Sequence, residues 1–208
     1  MKNNLLFRTI FAGVLAMWFA DAHELSAQNY LLVCNKGDHT LGLIDPVAGK
    51  MTATVPEDGV TGHEVVASPD GQRAFVPIYG NTGVGHAGSD GQLIRVVNLA
   101  QRAVTGTVDL GKGLRPHCAV MGPKNGLLYV TTELGECVTV IDLSGMKLAR
   151  TVDVPKSPQE VLVRPDGKVA YVSCTASRQV AEIDVRDWQV KRLIEAGPGA
   201  DGLAWAGK

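Results

Sequence analysis

The feature that most constrains the fold is a unit of roughly forty residues that recurs along the chain. One landmark is an apolar run that closes on an Asx residue, and its four copies end at Asp45, Asn98, Asp142 and Asp184. The first interval between these copies is the longest, and the two that follow are shorter and nearly equal. A turn proline recurs independently at Pro69, Pro123 and Pro165, again with a longer first interval. One insertion, Tyr79–Gln92, explains the longer early interval, so the period indicates a repeat architecture.

Each unit contains four short segments that are rich in β-branched and aromatic residues. In the third unit these segments read HCAVM, LLYVTTE, CVTVIDL and KLARTVDV, and GPKNG, LGE and SGM separate them. This composition is typical of antiparallel strands joined by tight turns. Residues 28–208 show no sustained helical spacing of apolar residues. The sequence therefore predicts an all-β fold, a β-propeller of four-stranded antiparallel blades with about four blades.

The repeats also resemble a known family. A PDG turn, then AYVSCT or LYVTTE, then VTVIDL is similar to the YVTN-type β-propeller repeat, over the whole chain from about Tyr30. The resemblance implies that the strand before the proline turn lies innermost, beside the central channel. It also links the chain to the propellers of nitrous oxide reductase, nitrite reductase, methylamine dehydrogenase and 6-phosphogluconolactonase, and relatives of this type often carry seven blades.

Blade number and closure stay open at this point. Counting gives blades at 64–109, 116–154 and 160–195, and a fourth in which 202–207 (GLAWAG) supplies the innermost strand for 30–56. Such end pairing would close a small ring and leave no free strand edge. The alternatives are an incomplete ring, as in the remnant of a seven-bladed propeller, and a homodimer that completes one ring. The repeats are of the ordinary kind and show no adaptation to the tighter curvature of a small ring, which favours the incomplete arc.

The N-terminus reads as a secretory signal peptide over residues 1–27, ahead of a propeller domain at 28–208. Lys2 and Arg8 flank the start of the apolar run TIFAGVLAMWFA, and small residues follow at Ala20, Ala22 and Ala27. This order is typical of a cleaved signal, and the run is shorter than the ~20 residues of a membrane span. We therefore expect a periplasmic or extracellular protein with no membrane span after cleavage.

Charge and cysteine content exclude some classes of function. A formal net charge of −1 provides no basic face for nucleic acid. The four cysteines have no CxxC spacing, which argues against zinc-ribbon and thioredoxin-type motifs. We expect at least two of them to be free strand residues, and the sequence does not choose among the pairings. The four cysteines are Cys34, Cys118, Cys137 and Cys174.

The candidate site lies just before each innermost strand, where loops of a propeller meet at the channel mouth. Counting back from the turn prolines places His63, His117 and Gln159 at one repeat position, and Asp201 continues the series at the same interval. Imidazoles and carboxylates are suitable ligands for transition metals. His63 and His117 are therefore candidate metal ligands, for a metal of the copper type. The full set of candidate ligand-binding residues is His63, Glu64, His117, Gln159, Glu160, Asp201 and, in the insertion, His86.

Function is less constrained than fold. The favoured hypothesis is a binding platform that presents loops to a protein, a glycan, a metal or a small molecule, with no catalytic residues. One alternative is a metal- or haem-dependent redox protein or a lactonase-like hydrolase, although the sequence has no CxxCH haem motif and no visible nucleophile–base set. The other is a structural protein of the cell envelope, since YVTN repeats occur in surface layers. The recurring Asx residues are expected to end strands in turns.

Overall fold

The computed structural model describes residues 29–58, 61–81, 83 and 86–207, which form fifteen β-strands and no helix. The predicted signal peptide lies outside these residues. No helix within them has the length and apolar character needed to cross a membrane. The strands are β1 (Leu31–Asn35), β2 (Thr40–Asp45), β3 (Lys50–Pro56), β4 (Val66–Ala67), β5 (Arg73–Gly80), β6 (Asp90–Asn98), β7 (Ala103–Asp109), β8 (Pro116–Met121), β9 (Leu127–Thr132), β10 (Cys137–Asp142), β11 (Lys147–Asp153), β12 (Pro158–Val163), β13 (Val169–Cys174), β14 (Gln179–Asp184) and β15 (Gln189–Glu195).

These strands form four antiparallel sheets, one for each sequence unit, which we call blades 1 to 4 in chain order. Blade 1 has three strands, β1-β2-β3, and the others have four, in the orders β4-β5-β6-β7, β8-β9-β10-β11 and β12-β13-β14-β15. The all-β propeller fold with four blades is therefore confirmed. The predicted order within a blade agrees with the sheets, because β4, β8 and β12, which precede the proline turns, each lie at an edge of their sheet, and β8 contacts both β4 and β12.

The sequence period reappears in backbone geometry. In every blade the pairing of the last two strands shifts register at one equivalent point, which marks a β-bulge. The shifts follow Leu43, Val96, Val140 and Glu182, and their spacing reproduces the unequal intervals between the recurring Asx residues. Each blade thus repeats one backbone conformation, and equivalent sequence positions occupy equivalent places.

The recurring Asx residues have the structural role that the sequence predicted. Each side chain accepts a hydrogen bond from a backbone N–H two or three residues ahead, which turns the chain into the next strand. The pairs are Asp45 with Val47, Asn98 with Gln101, Asp142 with Ser144, and Asp184 with Arg186.

The apolar core lies between blades, in three clusters that each join two neighbours. Leu41 of blade 1 packs with Val76 of blade 2, Phe75 of blade 2 with Leu128 of blade 3, and Tyr129 of blade 3 with Val172 of blade 4. The innermost strands β8 and β12 also contact each other, and β5 contacts β8. This packing brings the beginnings of the innermost strands together at one end of the molecule.

Closure through the chain ends, one of the alternatives left open by the sequence, is not formed in the described residues, which agrees with the favoured incomplete arc. β1 pairs only with β2, and residues 202–207 form no strand. Instead, the Leu203 N–H donates to Glu160 Oε2 at 2.8 Å, and the Trp205 ring stacks on Tyr171. These contacts hold the segment on blade 4, so the predicted fourth innermost strand is absent from blade 1.

Gly91 allows β5 and β6 to approach where they lengthen into the insertion. A Cβ atom at Gly91 would lie 1.8 Å from the Ile78 carbonyl oxygen, and that oxygen is backbone. We expect Gly91→Ala to lower the free energy of unfolding by about 1–3 kcal/mol, as overpacking does, measured by urea denaturation. Gly197→Ala is the matched control, because a Cβ there meets nothing within 4 Å. Equal midpoints for the two variants would contradict this prediction.

Candidate functional site

The site is built from residues that enter the innermost strands of successive blades. His63 and Glu64 precede β4, and the His63 N–H donates to the Pro77 carbonyl at 3.1 Å. His117 lies in β8, and Gln159 and Glu160 lie in β12. Because the blades repeat one geometry, these residues enter the innermost strands at equivalent points, and the His63 and His117 rings come together.

Two imidazoles and one carboxylate converge there. The ring centroids of His63 and His117 are 4.1 Å apart, with an interplanar angle of 36°. One ligand atom from each of His63, Glu64 and His117 lies within 4.8 Å of the other two. Among the described residues this is the group of three that has the spacing to hold a metal ion. We call these three residues the histidine–glutamate cluster.

The hydrogen bonds of the imidazoles indicate which nitrogens are free to bind a ligand. His117 Nδ1 is 3.2 Å from the Gln159 carbonyl oxygen, which can only accept, so Nδ1 carries the proton and Nε2 keeps its lone pair. His63 Nδ1 is buried and has no hydrogen-bond partner in the described part of the chain. Each ring therefore has one nitrogen that keeps a lone pair, and Nδ1 of His117, which carries the proton, is 3.7 Å from Glu64 Oε1.

Burial keeps both imidazoles neutral at pH 7. It lowers the pKa of His63 to about 4, and the neighbouring His117 and Lys36 add to this shift. It also lowers the pKa of His117 to about 4, against the opposing effect of the Gln159 carbonyl. Neutral imidazole is the form that binds metals, so the cluster needs no deprotonation at neutral pH.

Glu64 has a different electrostatic environment. Burial raises the pKa of its carboxyl group, and the carboxylates of Glu160 and Asp201 raise it further. A hydrogen bond from the Cys118 thiol acts in the opposite direction. A bound cation would relieve this accumulation of negative charge.

The other predicted residues surround the cluster without joining it. The Gln159 side chain turns back, with Nε2 donating to Ser157 Oγ at 3.1 Å, while Glu160 binds the Leu203 N–H. Asp201 is exposed and close enough to influence His63 and Glu64 electrostatically. His86 is exposed, and its carbonyl oxygen accepts from Arg115 Nη2 at 2.7 Å. The third member of the cluster is therefore Glu64 and not His86.

A second buried group, which sequence reasoning missed, forms one wall of the site. The Tyr79 ring lies 5.2 Å from the His63 ring, and its hydroxyl donates to the Glu133 carboxylate. Burial and that carboxylate raise the pKa of Tyr79 to about 12, so the phenol keeps its proton. The Arg115 guanidinium lies over the Tyr79 ring and pairs with Asp90 at 2.6 Å.

A signal for this wall was present in the repeat. Tyr79, Glu133 and Thr175 are separated by the same two intervals as the three turn prolines. Counting forward as well as backward from each turn proline would have shown that these three residues occupy one repeat position.

The four cysteines are free thiols in this structure. Cys34 Sγ donates to the Glu64 carbonyl oxygen at 3.2 Å, and the Cys118 thiol bonds the Glu64 carboxylate. Burial raises the pKa of Cys34 to about 12. Burial also raises the pKa of Cys118, so the thiols of Cys34 and Cys118 stay protonated, and they support Glu64 from its backbone and its side chain.

Comparison with known proteins gives a structural match only. No protein-family model and no curated protein matches the sequence. The structure is similar to a chain of Kuenenia stuttgartiensis hydrazine synthase, with a TM-score of 0.67 and 21% sequence identity. The match covers 80% of this chain and 46% of that chain, so this chain spans less than half of its length. At this identity the likeness supports the propeller fold alone.

Proposed function

We propose that this chain is an extracytoplasmic β-propeller of the YVTN type that binds a divalent transition-metal ion with its histidine–glutamate cluster. The observation that carries the proposal is the convergence of two neutral imidazoles and one carboxylate, with ligand atoms within 4.8 Å of one another. The YVTN assignment is supported by the turn and strand motifs, and the location by the signal pattern at residues 1–27.

The donor set selects the class of metal. Imidazole nitrogen suits zinc, copper, nickel and iron, whereas calcium and magnesium prefer oxygen ligands. Affinity of such a site is expected to follow the Irving–Williams order, with Cu²⁺ the tightest among divalent ions. Three protein ligands leave a coordination position for water or another small ligand, as in catalytic zinc sites. The metal would thus make the channel mouth a platform for an exchangeable ligand.

Groups outside the cluster hold the ligands in place. The Gln159 carbonyl fixes the tautomer and ring orientation of His117, and the Cys118 thiol orients Glu64. Such partners of ligating residues typically change metal affinity 10–100-fold when they are removed. These contacts support the proposal, because a metal site needs ligands that are held in a fixed orientation.

The test is calorimetric titration of chelator-treated protein with Cu²⁺, Zn²⁺, Ni²⁺ and Mg²⁺ at pH 7. We expect about one transition-metal ion per cluster and no Mg²⁺ binding. His63→Ala and His117→Ala should each weaken binding by at least about 100-fold, which exceeds the loss typical of outer partners. Glu64→Gln, which loses one anionic ligand, should weaken it less.

His39→Asn is the control, since His39 lies in the β1–β2 turn and its positive φ of 53° suits asparagine. The double variant His63→Ala/His117→Ala measures metal binding elsewhere in the chain. The metal bound by the wild type but not by this variant is therefore assigned to the cluster. Equal titrations of wild type and double variant would overturn the proposal.

A further inference from the structure

Blade 1 presents an open strand edge at its inner side. In blades 2 to 4 the innermost strand pairs with the second strand, but β1, the second strand of blade 1, pairs only with β2 in the described residues. The equivalence follows from register, since Leu31 pairs with Ile44 as Ala170 pairs with Ile183. Leu31 is 58% exposed. An unpaired edge with an exposed apolar residue is a template for another strand.

Residues 200–207 form the complementary element. The Leu203 N–H donates to Glu160 Oε2 at 2.8 Å, and one repeat earlier the Val161 N–H of blade 4 bonds the Cys118 thiol of blade 3. The segment therefore lies on blade 4 where the innermost strand of a following blade would lie. Trp205 stacks on Tyr171 with centroids 6.0 Å apart, yet remains 47% exposed.

The two elements match in register. Blade 4 pairs its innermost strand through Val161–Val172, Leu162–Tyr171 and Val163–Ala170. The step of one repeat that leads from Gln159 to Asp201 leads from the three β12 residues of these pairs to Leu203, Ala204 and Trp205. The blade 1 equivalents of the second members are Val33, Leu32 and Leu31. This register places exposed Trp205 opposite exposed Leu31. The expected pairs are Leu203–Val33, Ala204–Leu32 and Trp205–Leu31.

The occupant of the edge is a second copy of this chain. Within one copy, blades 1 and 4 lie at opposite ends of the series, because the core clusters join blade 1 to 2, 2 to 3 and 3 to 4. We propose that two copies close one eight-bladed ring, in which residues 202–207 of each copy become the innermost strand of blade 1 in the other.

The exchange satisfies both requirements of a closed assembly. It is isologous, so the same contact occurs twice about a two-fold axis and the assembly ends at two copies. It pairs both open edges at once, and eight blades lie within the usual range of about four to eight. The inference is independent of the metal site, because none of the cluster residues takes part in the strand pairing.

Disulfide trapping tests the register. Leu31→Cys and Trp205→Cys are made in separate chains with different tags, which are then refolded together and oxidised. Directly opposite residues have Cβ atoms about 4.5–5.5 Å apart, close to disulfide geometry. We expect a bond that joins the two tags. Val47→Cys with Trp205→Cys is the control, since Val47 is 95% exposed in the β2–β3 turn, and it should not react.

Mass in solution tests the assembly. Light scattering should give twice the chain mass, and deletion of residues 202–207 should give a monomer that keeps its β-sheet circular dichroism. A monomeric wild type, or a dimer that survives the deletion, would overturn the proposal. So would a double variant Leu31→Cys/Trp205→Cys that oxidises within one chain, because this indicates a four-bladed ring closed by its own ends.

Discussion

Replacing Arg115 by leucine is expected to lower the free energy of unfolding by about 3–5 kcal/mol, the cost of breaking a buried ion pair from one side. The Arg115 side chain is 7% exposed. Its Nε contacts Asp90 Oδ1 at 2.6 Å, its Nη2 donates to the His86 carbonyl, and its Nη1 is 3.8 Å from Glu133 Oε2. Leucine would leave the buried Glu133 carboxylate without this cation.

Urea denaturation at pH 7 measures this effect, and an exposed pair is its control. The Arg186 side chain is 82% exposed and pairs with Asp184 at 2.6 Å. Arg186→Leu should change the free energy of unfolding much less than Arg115→Leu does, since solvent screens such an exposed pair. Equal losses for the two variants would show that burial of Arg115 contributes nothing.

A compensating variant separates the charge from the packing. Arg115→Leu/Glu133→Gln removes both buried charges and keeps an oxygen that can accept from the Tyr79 hydroxyl, so neither charge is left buried without its partner. We expect the double variant to recover part of the stability lost in Arg115→Leu. The recovery should be incomplete, because Asp90 and the His86 carbonyl lose their hydrogen bonds to the guanidinium in both variants.

Arg115 also marks the limit of what the repeat could predict. The intervals between the turn prolines were enough to align His63, His117 and Gln159, because identical blades put identical positions at one radius and height. The structure brings the two imidazoles to 4.1 Å. The conformation of the insertion depends instead on contacts from a single arginine 25 and 29 residues away, which periodicity does not encode.

The sequence left closure of the ring open for a related reason. The sequence of 202–207 correctly resembles an innermost strand, and the segment does lie where such a strand belongs beside blade 4. Whether it reaches β1 depends on the rotation between successive blades, which arises from packing of side chains such as Tyr129 against the next blade. The sequence of one repeat determines the strands of its own sheet, whereas the rotation between blades also depends on the residues of the neighbouring blade.

The metal-free protein is expected to lose stability as the pH falls from about 6.5 to about 4. In this range an unfolded histidine takes up a proton, whereas His63 and His117 stay neutral because burial lowers the pKa of each to about 4. The unfolded state therefore binds more protons, and acid favours it. For His117, which is 5% exposed, about 1.4 kcal/mol per pKa unit gives a loss on the order of 3 kcal/mol.

Neighbouring charges set the size of this loss of stability in acid. Lys36 lowers the pKa of both imidazoles, while Asp201 and Glu133 oppose the shift at His63. Glu57 and Glu64 contribute with the opposite sign, because burial raises the pKa of each carboxyl group and their charging as the pH rises destabilises the fold. The histidine contribution is therefore isolated by substitution and not by the pH profile of the wild type alone.

The decisive comparison is urea denaturation at several pH values between 4 and 7.5, in the presence of a chelator. His63→Gln/His117→Gln keeps polar side chains of similar reach but removes the two titrations. We expect its free energy of unfolding to vary less with pH between 4 and 6.5 than that of the wild type. If both proteins lose stability in parallel over this range, the loss of stability in acid arises elsewhere and the imidazoles of the cluster are not held neutral by burial.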